Sequence, residues 1–254
     1  MSQAEKAELF RAMHVPGEPV VLYNIWDAGG AKALVDAGSP AVATGSWSVA
    51  GAHGYRDGEA MPLDLLCTVV SRIAATVDVP VSVDFEGGFA VEPAEVRENV
   101  RRIIGAGAIG INFEDQVVGG DGLHETAAQA DRIAAVRAAG EVEGVPLFIN
   151  ARTDLFLKAK DPESHAALIF DAAARGAAYK AAGADGFFVP GLADTALIGQ
   201  MVKAVELPLN IMMRPPLDAV KDLAAEGVAR VSYGPGPYAA AMKDLARRYA
   251  ATLE

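Results

Sequence analysis

Cysteine is nearly absent from this sequence of 254 residues, in which Cys67 is the only one. A single cysteine excludes an intrachain disulfide and a zinc site built from several cysteines. Such low cysteine usage is typical of a reducing compartment, so we expect a cytoplasmic protein. The first residues are polar and contain no apolar core of a secretion signal.

Basic residues are also scarce, with 22 Lys and Arg against 33 Asp and Glu and a formal net charge of −11. This deficit argues against nucleic acids and anionic membranes as partners, because both require clustered positive charge. One long stretch, residues 37–55, carries no Asp, Glu, Lys or Arg, but its glycines and hydroxyl groups exclude a membrane span. Since clustered acids can hold divalent cations, the positions of the carboxylates are more informative than their number.

Short apolar runs alternate with helical segments along the whole chain. Several of the helical segments end in an Ala-Gly step, where glycine tolerates the left-handed conformation that closes a helix. The runs are nearly continuous in apolar residues, which is typical of parallel strands buried on both faces. Eight runs are found, at residues 20–24, 41–44, 81–85, 109–114, 147–151, 186–189, 207–212 and 230–233.

Eight such units in a chain of this length predict a (β/α)8 barrel that forms a single domain over residues 1–254. Helices are predicted between the strands and at the end of the chain, at residues 92–104, 161–182, 216–224 and 238–253. The alternative is an open, doubly wound sheet. That fold requires Gly-x-Gly-x-x-Gly after the first strand, a spacing that residues 27–31 do not have.

Acidic residues follow the third and fourth predicted strands, where a barrel places its active site. Asp84 and Glu86 are predicted to lie on the same side of the third strand, because side chains alternate along a strand. Together with Glu114 they would repel one another unless Arg152 or a divalent cation balanced them. Oxygen ligands without nearby His or Cys favour Mg²⁺ or Mn²⁺ over zinc. An isolated acid in such a place is usually a turn or cap residue, which is our interpretation of Asp115 and Asp154.

Two loops add candidate binding groups. Residues 44–48, Thr-Gly-Ser-Trp-Ser, offer hydroxyls and backbone N–H groups that can hold a carboxylate or phosphate, although an ordinary Ser/Gly loop has the same composition. Residues 117–125 contain three glycines in four positions and are either a plain connector or a mobile lid. His124 is the residue of that loop that titrates near neutrality.

Three motifs, taken together and in order, resemble the isocitrate lyase/phosphoenolpyruvate mutase superfamily. They are Phe-Glu-Asp-Gln at 113–116, Asn-Ala-Arg-Thr-Asp at 150–154 and Gly-Ala-Asp-Gly-Phe-Phe at 183–188. The resemblance implies a (β/α)8 barrel that often exchanges its last helix between subunits, in a homodimer or homotetramer. It also implies Mg²⁺ or Mn²⁺ and a small 2-oxo acid, with C–C or P–C bonds made or broken through an enolate-like species.

The resemblance also implies roles for individual residues. Asp84 would be the direct metal ligand, and Glu86, which stands where the family usually has Asp, would bind the metal through water or with a slightly longer reach. Glu114 and Asp57 match the outer acidic positions. The residues expected to contact the substrate are Thr44, Gly45, Ser46, Trp47, Arg152 and Asn210. Arg152, Glu114 and His124 are the predicted catalytic residues, with His124 or water returning a proton to the enolate.

The chain lacks three sequence features that occur in the superfamily. The loop at 117–125 lacks the Lys-(Lys/Arg)-Cys-Gly-His motif of the lyases, and Cys67 lies on a predicted helix elsewhere. No Glu stands near the end of the sixth strand, where residues 189–191 are Val-Pro-Gly. The Lys and Asn of the phosphonomutase loop are also missing between residues 117 and 126. Cleavage of isocitrate or methylisocitrate and phosphoryl migration are both disfavoured.

We therefore predict a Mg²⁺-dependent C–C lyase or oxaloacetate-type decarboxylase. Loss of CO₂ from such an acid leaves an enolate and needs no base, so the metal and Arg152 would suffice to stabilise it. One alternative is a P–C bond enzyme of the phosphonomutase or phosphonopyruvate hydrolase kind. Another is a protein that binds a 2-oxo acid without catalysis.

Overall fold

Eight parallel strands form a barrel in the computed structural model, which describes residues 1–253. The strands are β1 (Val20–Leu22), β2 (Val42–Ala43), β3 (Val81–Asp84), β4 (Gly110–Glu114), β5 (Phe148–Arg152), β6 (Gly186–Phe188), β7 (Leu209–Met212) and β8 (Arg230–Ser232). They are hydrogen-bonded in the order β1-β8-β7-β6-β5-β4-β3-β2. A parallel bridge between Ile25 and Thr44 joins β1 to β2 and closes the ring. The predicted (β/α)8 barrel is confirmed.

Helices alternate with the strands and cover the outside of the barrel. They are α1 (Gln3–Ala12), α2 (Ala28–Asp36), α3 (Ser46–Ala52), α4 (Leu63–Thr76), α5 (Pro93–Gly105), α6 (Thr126–Glu143), α7 (Leu155–Lys158), α8 (His165–Ala181), α9 (Thr195–Ala204), α10 (Val220–Ala225) and α11 (Gly236–Ala250). Within residues 1–253, none of the helices combines the length and the apolar character needed to cross a membrane. Exchange of α11 between subunits stays a prediction.

Two predicted helices begin later than expected, and in each case proline precedes the observed start. Pro162–Ser164 form a 3₁₀ turn before α8, and the Asp161 carboxylate accepts a hydrogen bond from the Glu163 N–H at 3.0 Å. The helix predicted from residue 216 is α10, which starts at Val220. Consecutive prolines at 215 and 216 lack N–H donors and disfavour helical geometry in the preceding residue.

The core lies inside the barrel and between its outer surface and the helices. Helix α5 buries Val96, Val100 and Ile103 on one face, as its periodicity predicts. At the amino-terminal end of the barrel, Phe10 and His14 pack on Phe148, with ring centroids 5.3 and 4.0 Å from it. Each fully buried large apolar side chain contributes about 1.5–3 kcal/mol to stability. This packing fixes the carboxyl ends of the strands on which functional side chains stand.

Candidate active site

A cavity of about 190 Å³ lies at the carboxyl ends of the strands. Its lining consists of Asn24, Gly45, Ser46, Trp47, Asp57, Asp84, Asn112, Arg152, Leu157, Phe188, Pro190, Met212, Ser232, Gly234 and Pro235. The cavity thus brings together six of the residues predicted from sequence: Gly45, Ser46, Trp47, Asp57, Asp84 and Arg152. A larger cavity of about 400 Å³, beside residues 162–165 and 214–216, contains none of the predicted site residues.

Arg152 is the last residue of β5 and stands among carboxylates. Its Nε and Nη2 donate to the two carboxylate oxygens of Asp154 at 2.5 and 2.9 Å. Its Nη1 lies 3.0 Å from Glu114 Oε2. Burial lowers the pKa of Arg152, but attraction to Glu114 and Asp154 raises it to well above its ordinary value, so the side chain is a permanent cation. The two-point contact with Asp154 fixes the plane of the guanidinium.

Asp84 is the last residue of β3 and is held from two directions. Its backbone N–H donates to the Thr44 hydroxyl at 2.9 Å, and its Oδ2 accepts from the Ser46 N–H at 3.0 Å. Thr44 is buried beside it and does not line the cavity. The other oxygen, Oδ1, is buried and accepts no hydrogen bond, and Arg152 Nη1 lies 4.0 Å from it. An orphaned carboxylate oxygen in a cavity is the kind of group that a bound cation satisfies.

Glu86 follows β3 in a turn. Because β3 ends at Asp84 and Glu86 has a left-handed φ of +49°, strand alternation does not determine where this side chain lies. Its carboxylate accepts from the N–H groups of Gly58 and Glu59 at 2.8 and 2.9 Å. Burial, with the negative charges of Asp57 and Asp84, raises the pKa of Glu86 to about 8.

The surroundings of Asp57 and Glu114 also oppose the ionisation of their carboxyl groups. Partial loss of hydration beside the cavity and the charge of Asp84 raise the pKa of Asp57, although the residue itself stays exposed. Glu114, at the end of β4, is almost fully buried, and burial raises its pKa even though Arg152 is in contact with it. The site therefore holds more negative charge than one arginine balances, which is the condition that a bound cation relieves.

The acids do not by themselves enclose a metal ion. Among the side chains of residues 1–253, no three of His, Cys, Asp and Glu converge as a complete metal-binding group. The arrangement fits Mg²⁺ nonetheless, because this ion usually keeps several waters and takes one or two carboxylates together with substrate oxygens. The roles predicted for Asp84 as the direct ligand, and for Asp57, Glu86 and Glu114 as ligands that act through water, stay predictions.

Five predicted site residues lie outside the cavity lining: Thr44, Glu86, Glu114, Asn210 and His124. Asn210 is buried beneath the cavity and donates to the Ser232 hydroxyl at 3.2 Å, and Ser232 lines the cavity. The backbone of His124 is held by two hydrogen bonds: its N–H donates to the Asp115 carbonyl at 2.7 Å, and its carbonyl accepts from the Arg175 side chain at 3.1 Å. The proposed roles of Asn210 in substrate binding and of His124 in proton transfer stay predictions.

Asp115 and Asp154 do more than the turn or cap role expected of isolated acids. Asp154 precedes α7, yet its side chain makes no capping bond to that helix and instead orients Arg152. Asp115 is fully buried and accepts from the Tyr179 hydroxyl at 2.8 Å and from the Asp154 N–H at 3.0 Å. These contacts hold the loop after β5 against the end of β4.

Sequence reasoning missed a polar layer below the cavity. Asn112 lines the cavity. Its position could have been predicted, because Asn112 stands two residues before Glu114 and therefore faces the same side of β4. Arg230 is fully buried inside the barrel and donates to Asn112 Oδ1 at 3.1 Å and to the Ser232 hydroxyl at 3.2 Å. Burial lowers the pKa of Arg230 to about 9, against the attraction of Asp84. This layer supports the floor of the site.

The fold and the site define a class: a (β/α)8 barrel with an acidic, arginine-containing pocket at the carboxyl ends of its strands, the place where barrel enzymes carry out their chemistry. Comparison with known proteins then gives the family. The family model described as phosphoenolpyruvate phosphomutase matches residues 10–253. The chain belongs to this family, within the phosphoenolpyruvate mutase/isocitrate lyase superfamily.

Individual relatives differ in activity. A Burkholderia cenocepacia protein, whose assignment as a phosphonomutase is itself provisional, has a solved structure with a TM-score of 0.94 and 46% identity, covering 97% of this chain and 98% of that one. The 2-methylisocitrate lyase of Escherichia coli is 30% identical over 244 residues, which span 92% of this chain and 79% of the lyase.

Phosphonopyruvate hydrolase, solved with oxalate and Mg²⁺, shares the fold at a TM-score of 0.83 and 23% identity, with 96% and 86% of the two chains covered. Relatives of the chain thus include lyases, phosphoenolpyruvate phosphomutase and oxaloacetate decarboxylases. The superfamily is one of enzymes.

Proposed function

We propose that this protein is a Mg²⁺-dependent enzyme that cleaves a carbon–carbon bond in a small 2-oxo acid through an enolate-like species. The observation that carries the proposal is the pairing, in one cavity, of the permanent cation Arg152 with the orphaned Oδ1 of Asp84. One group suits an oxo-acid oxygen and the other suits a divalent cation.

Arg152 binds and orients the acid. Asp154 takes two of the five N–H groups of the guanidinium, and the remainder face Glu114 and the cavity. Mg²⁺ bound at Asp84, with Asp57, Glu86 and Glu114 acting through water, would supply a Lewis acid for the oxo-acid oxygens. Trp47 and Phe188 line the same cavity and limit the access of water to the acid.

Charge supports C–C over P–C cleavage. Within the part of the chain that the structure describes, Arg152 is the only Lys or Arg that lines the cavity, whereas a phosphonate brings up to two negative charges to be balanced. The loop at 117–125 carries neither Lys nor Asn to assist phosphoryl transfer. Loss of CO₂ from an oxaloacetate-type acid needs no proton acceptor from the chain, and a proton then returns from water.

The test is release of pyruvate and CO₂ from oxaloacetate, measured with Mg²⁺ and again with a chelator. Asp84→Asn at the same Mg²⁺ concentration gives the rate due to free metal, and Asp131→Asn, at an exposed position on α6, is the matched control. We expect a metal-dependent rate in the unmodified protein and in the control, and the free-metal rate alone in Asp84→Asn. Equal rates in all three would refute decarboxylation.

A second candidate, a P–C bond enzyme, is favoured by one observation, the 46% identity to the provisionally assigned phosphonomutase. Phosphate release from phosphonopyruvate, or formation of phosphoenolpyruvate, would establish it. Tight binding of 2-oxo acids without turnover of any of these compounds would instead point to a non-catalytic binding protein.

A further inference from the structure

The lining of the cavity divides into two sides. The ends of β2, β3 and β4 and the loops after them contribute Ser46, Asp57, Asp84 and Asn112, which are polar or acidic, together with Trp47. The ends of β5, β6, β7 and β8 and the segments after them contribute Arg152, Ser232 and Gly234, together with a set that we call the apolar arc: Leu157, Phe188, Pro190, Met212 and Pro235. The strand order places these two groups on opposite sides of the ring.

Arg152 stands at the border between the two sides. It ends β5, and its guanidinium carbon lies 5.9 Å from the centre of the Phe188 ring. Its donors are directed toward the carboxylates of Asp154 and Glu114, neither of which lines the cavity. An acid held by Arg152 and by a cation at Asp84 would therefore direct the rest of its carbon chain toward the apolar arc.

Within residues 1–253, a second negative charge on that carbon chain would find no further cation in the lining besides Arg152. Among the described residues, the apolar arc contains no Lys or Arg, and the polar side adds Asp57 and Asp84. Placing an unpaired anion against apolar side chains, in a cavity already rich in carboxylates, is strongly unfavourable. An uncharged branched group would instead bury its surface against Leu157, Phe188 and Met212, whose thioether adapts to irregular shapes.

We infer that the preferred ligand of this cavity is a monocarboxylic 2-oxo acid whose group beyond carbon 3 is uncharged and apolar, rather than a dicarboxylate or a phosphonate. The inference rests on the proposed function, because Arg152 and the cation at Asp84 must hold the oxo-acid end. The desolvation that weakens binding of a second carboxylate also speeds its loss as CO₂, so affinity, and not turnover of oxaloacetate, measures the preference.

The experiment compares two ligands of the same shape. 2-Oxoglutarate and 5-methyl-2-oxohexanoate differ only in the exchange of a terminal carboxylate for an isopropyl group. 2-Oxoglutarate carries no carboxylate on carbon 3, so it does not lose CO₂ readily during the measurement. Affinities are measured by titration calorimetry with Mg²⁺ present. We expect the isopropyl compound to bind about tenfold more tightly or better. Equal affinities, tighter binding of 2-oxoglutarate or no binding of either would overturn the inference.

Variants test whether the apolar arc is responsible. Met212→Lys places a cation in it and is expected to reverse the preference. Leu157→Lys does the same from the short helix α7 and serves if Met212→Lys does not fold. Met242→Lys adds the same charge at an exposed position on α11 and should change nothing. A preference that stays the same in every folded variant of the apolar arc would refute this explanation.

Oxalate separates the two proposals, because it has the oxo-acid end and no group beyond it. If oxalate fails to bind with Mg²⁺, the proposed function is wrong and the inference fails with it. If oxalate binds, loses affinity in Arg152→Lys, and yet 2-oxoglutarate binds as tightly as its isopropyl counterpart, then the proposed function stands and the inference alone is wrong.

Discussion

The two ends of the barrel hold partly buried charge in opposite ways. At the amino-terminal end, the carboxylate of Asp185 accepts from Arg11, from Arg137 and from the Ile149 N–H, and both of its oxygens are paired. At the carboxyl end, Asp84 Oδ1 accepts no hydrogen bond and has only a 4.0 Å contact with Arg152 Nη1, and Glu86 is held where its ionisation is opposed. Charges that the chain pairs fully contribute to folding, whereas underpaired ones mark the place that a ligand completes.

The largest effect should come from Asp84→Ala at the underpaired end. Substitution of a residue that only supports a metal ligand lowers metal affinity by up to roughly 100-fold. Asp84 is the carboxylate proposed to contact the metal directly, so its removal should lower Mg²⁺ affinity by more than that. The free energy of unfolding should not fall, because the acid cluster loses a repelling member. Titration calorimetry and urea unfolding measure the two quantities, and an unchanged Mg²⁺ affinity would refute the metal assignment.

At the paired end, Asp185→Ala should do the reverse. It leaves Arg11 and Arg137 without their carboxylate and should lower the free energy of unfolding by about 2–3 kcal/mol, while Mg²⁺ affinity stays the same. Asp36→Ala removes an exposed pair with Lys32 and, as a control, should cost less than about 1 kcal/mol. If Asp185→Ala changed Mg²⁺ affinity and not stability, the contrast between the two ends would be wrong.

Glu86 should make the stability of the metal-free protein depend on pH. The pKa of Glu86 is about 8 in the folded protein against an ordinary value of 4.5, so between these values the folded state binds more protons than the unfolded state. Stability must then fall as pH rises through this window, by an amount on the order of 1 kcal/mol or more. Without Mg²⁺, Glu86→Gln should weaken the pH dependence, whereas Glu141→Gln, at an exposed position on α6, should retain it. Urea unfolding at pH 5, 6, 7 and 8 measures the difference, and identical slopes in both variants would contradict the prediction.

The smallest effect should come from Cys67→Ala. Cys67 lies half-buried on α4, away from both ends of the barrel, and burial raises the pKa of its thiol, unlike that of a reactive cysteine. We expect a loss of about 1 kcal/mol or less in unfolding free energy and unchanged activity. A large loss of activity would place a cysteine in the reaction after all, as in the lyases of the superfamily.

The barrel and the heart of the site were predictable for one physical reason. Parallel strands carry their last side chains to the same edge, so acids and arginines that end apolar runs, such as Asp84, Glu114 and Arg152, must meet there. The pattern of apolar runs needs no knowledge of distant contacts. The pattern was therefore sufficient to predict the fold, the strand order and the edge of the barrel at which these three side chains lie.

Other positions depend on features that the pattern does not carry. Glu86 is placed by a left-handed turn, and His124 by backbone bonds to Asp115 and Arg175, which are distant from one another in sequence. The buried role of Arg230 could not be predicted, because a charge inside a strand pattern is ordinarily directed outward. Tertiary contacts, rather than local preference, decide these side chains.

The joint between β1 and β2 has a consequence for how the protein moves. It consists of the bridge at Ile25 and Thr44, with hydrogen bonds from the Ile25 N–H to the Ala43 carbonyl and from the Gly45 N–H to the Ile25 carbonyl. The next residue, Ser46, donates its N–H to Asp84 on β3. A ligand that immobilises Asp84 should therefore also stabilise this short connection between β1 and β2. Slower hydrogen exchange at the Ile25 and Gly45 amides would then show that the site is occupied.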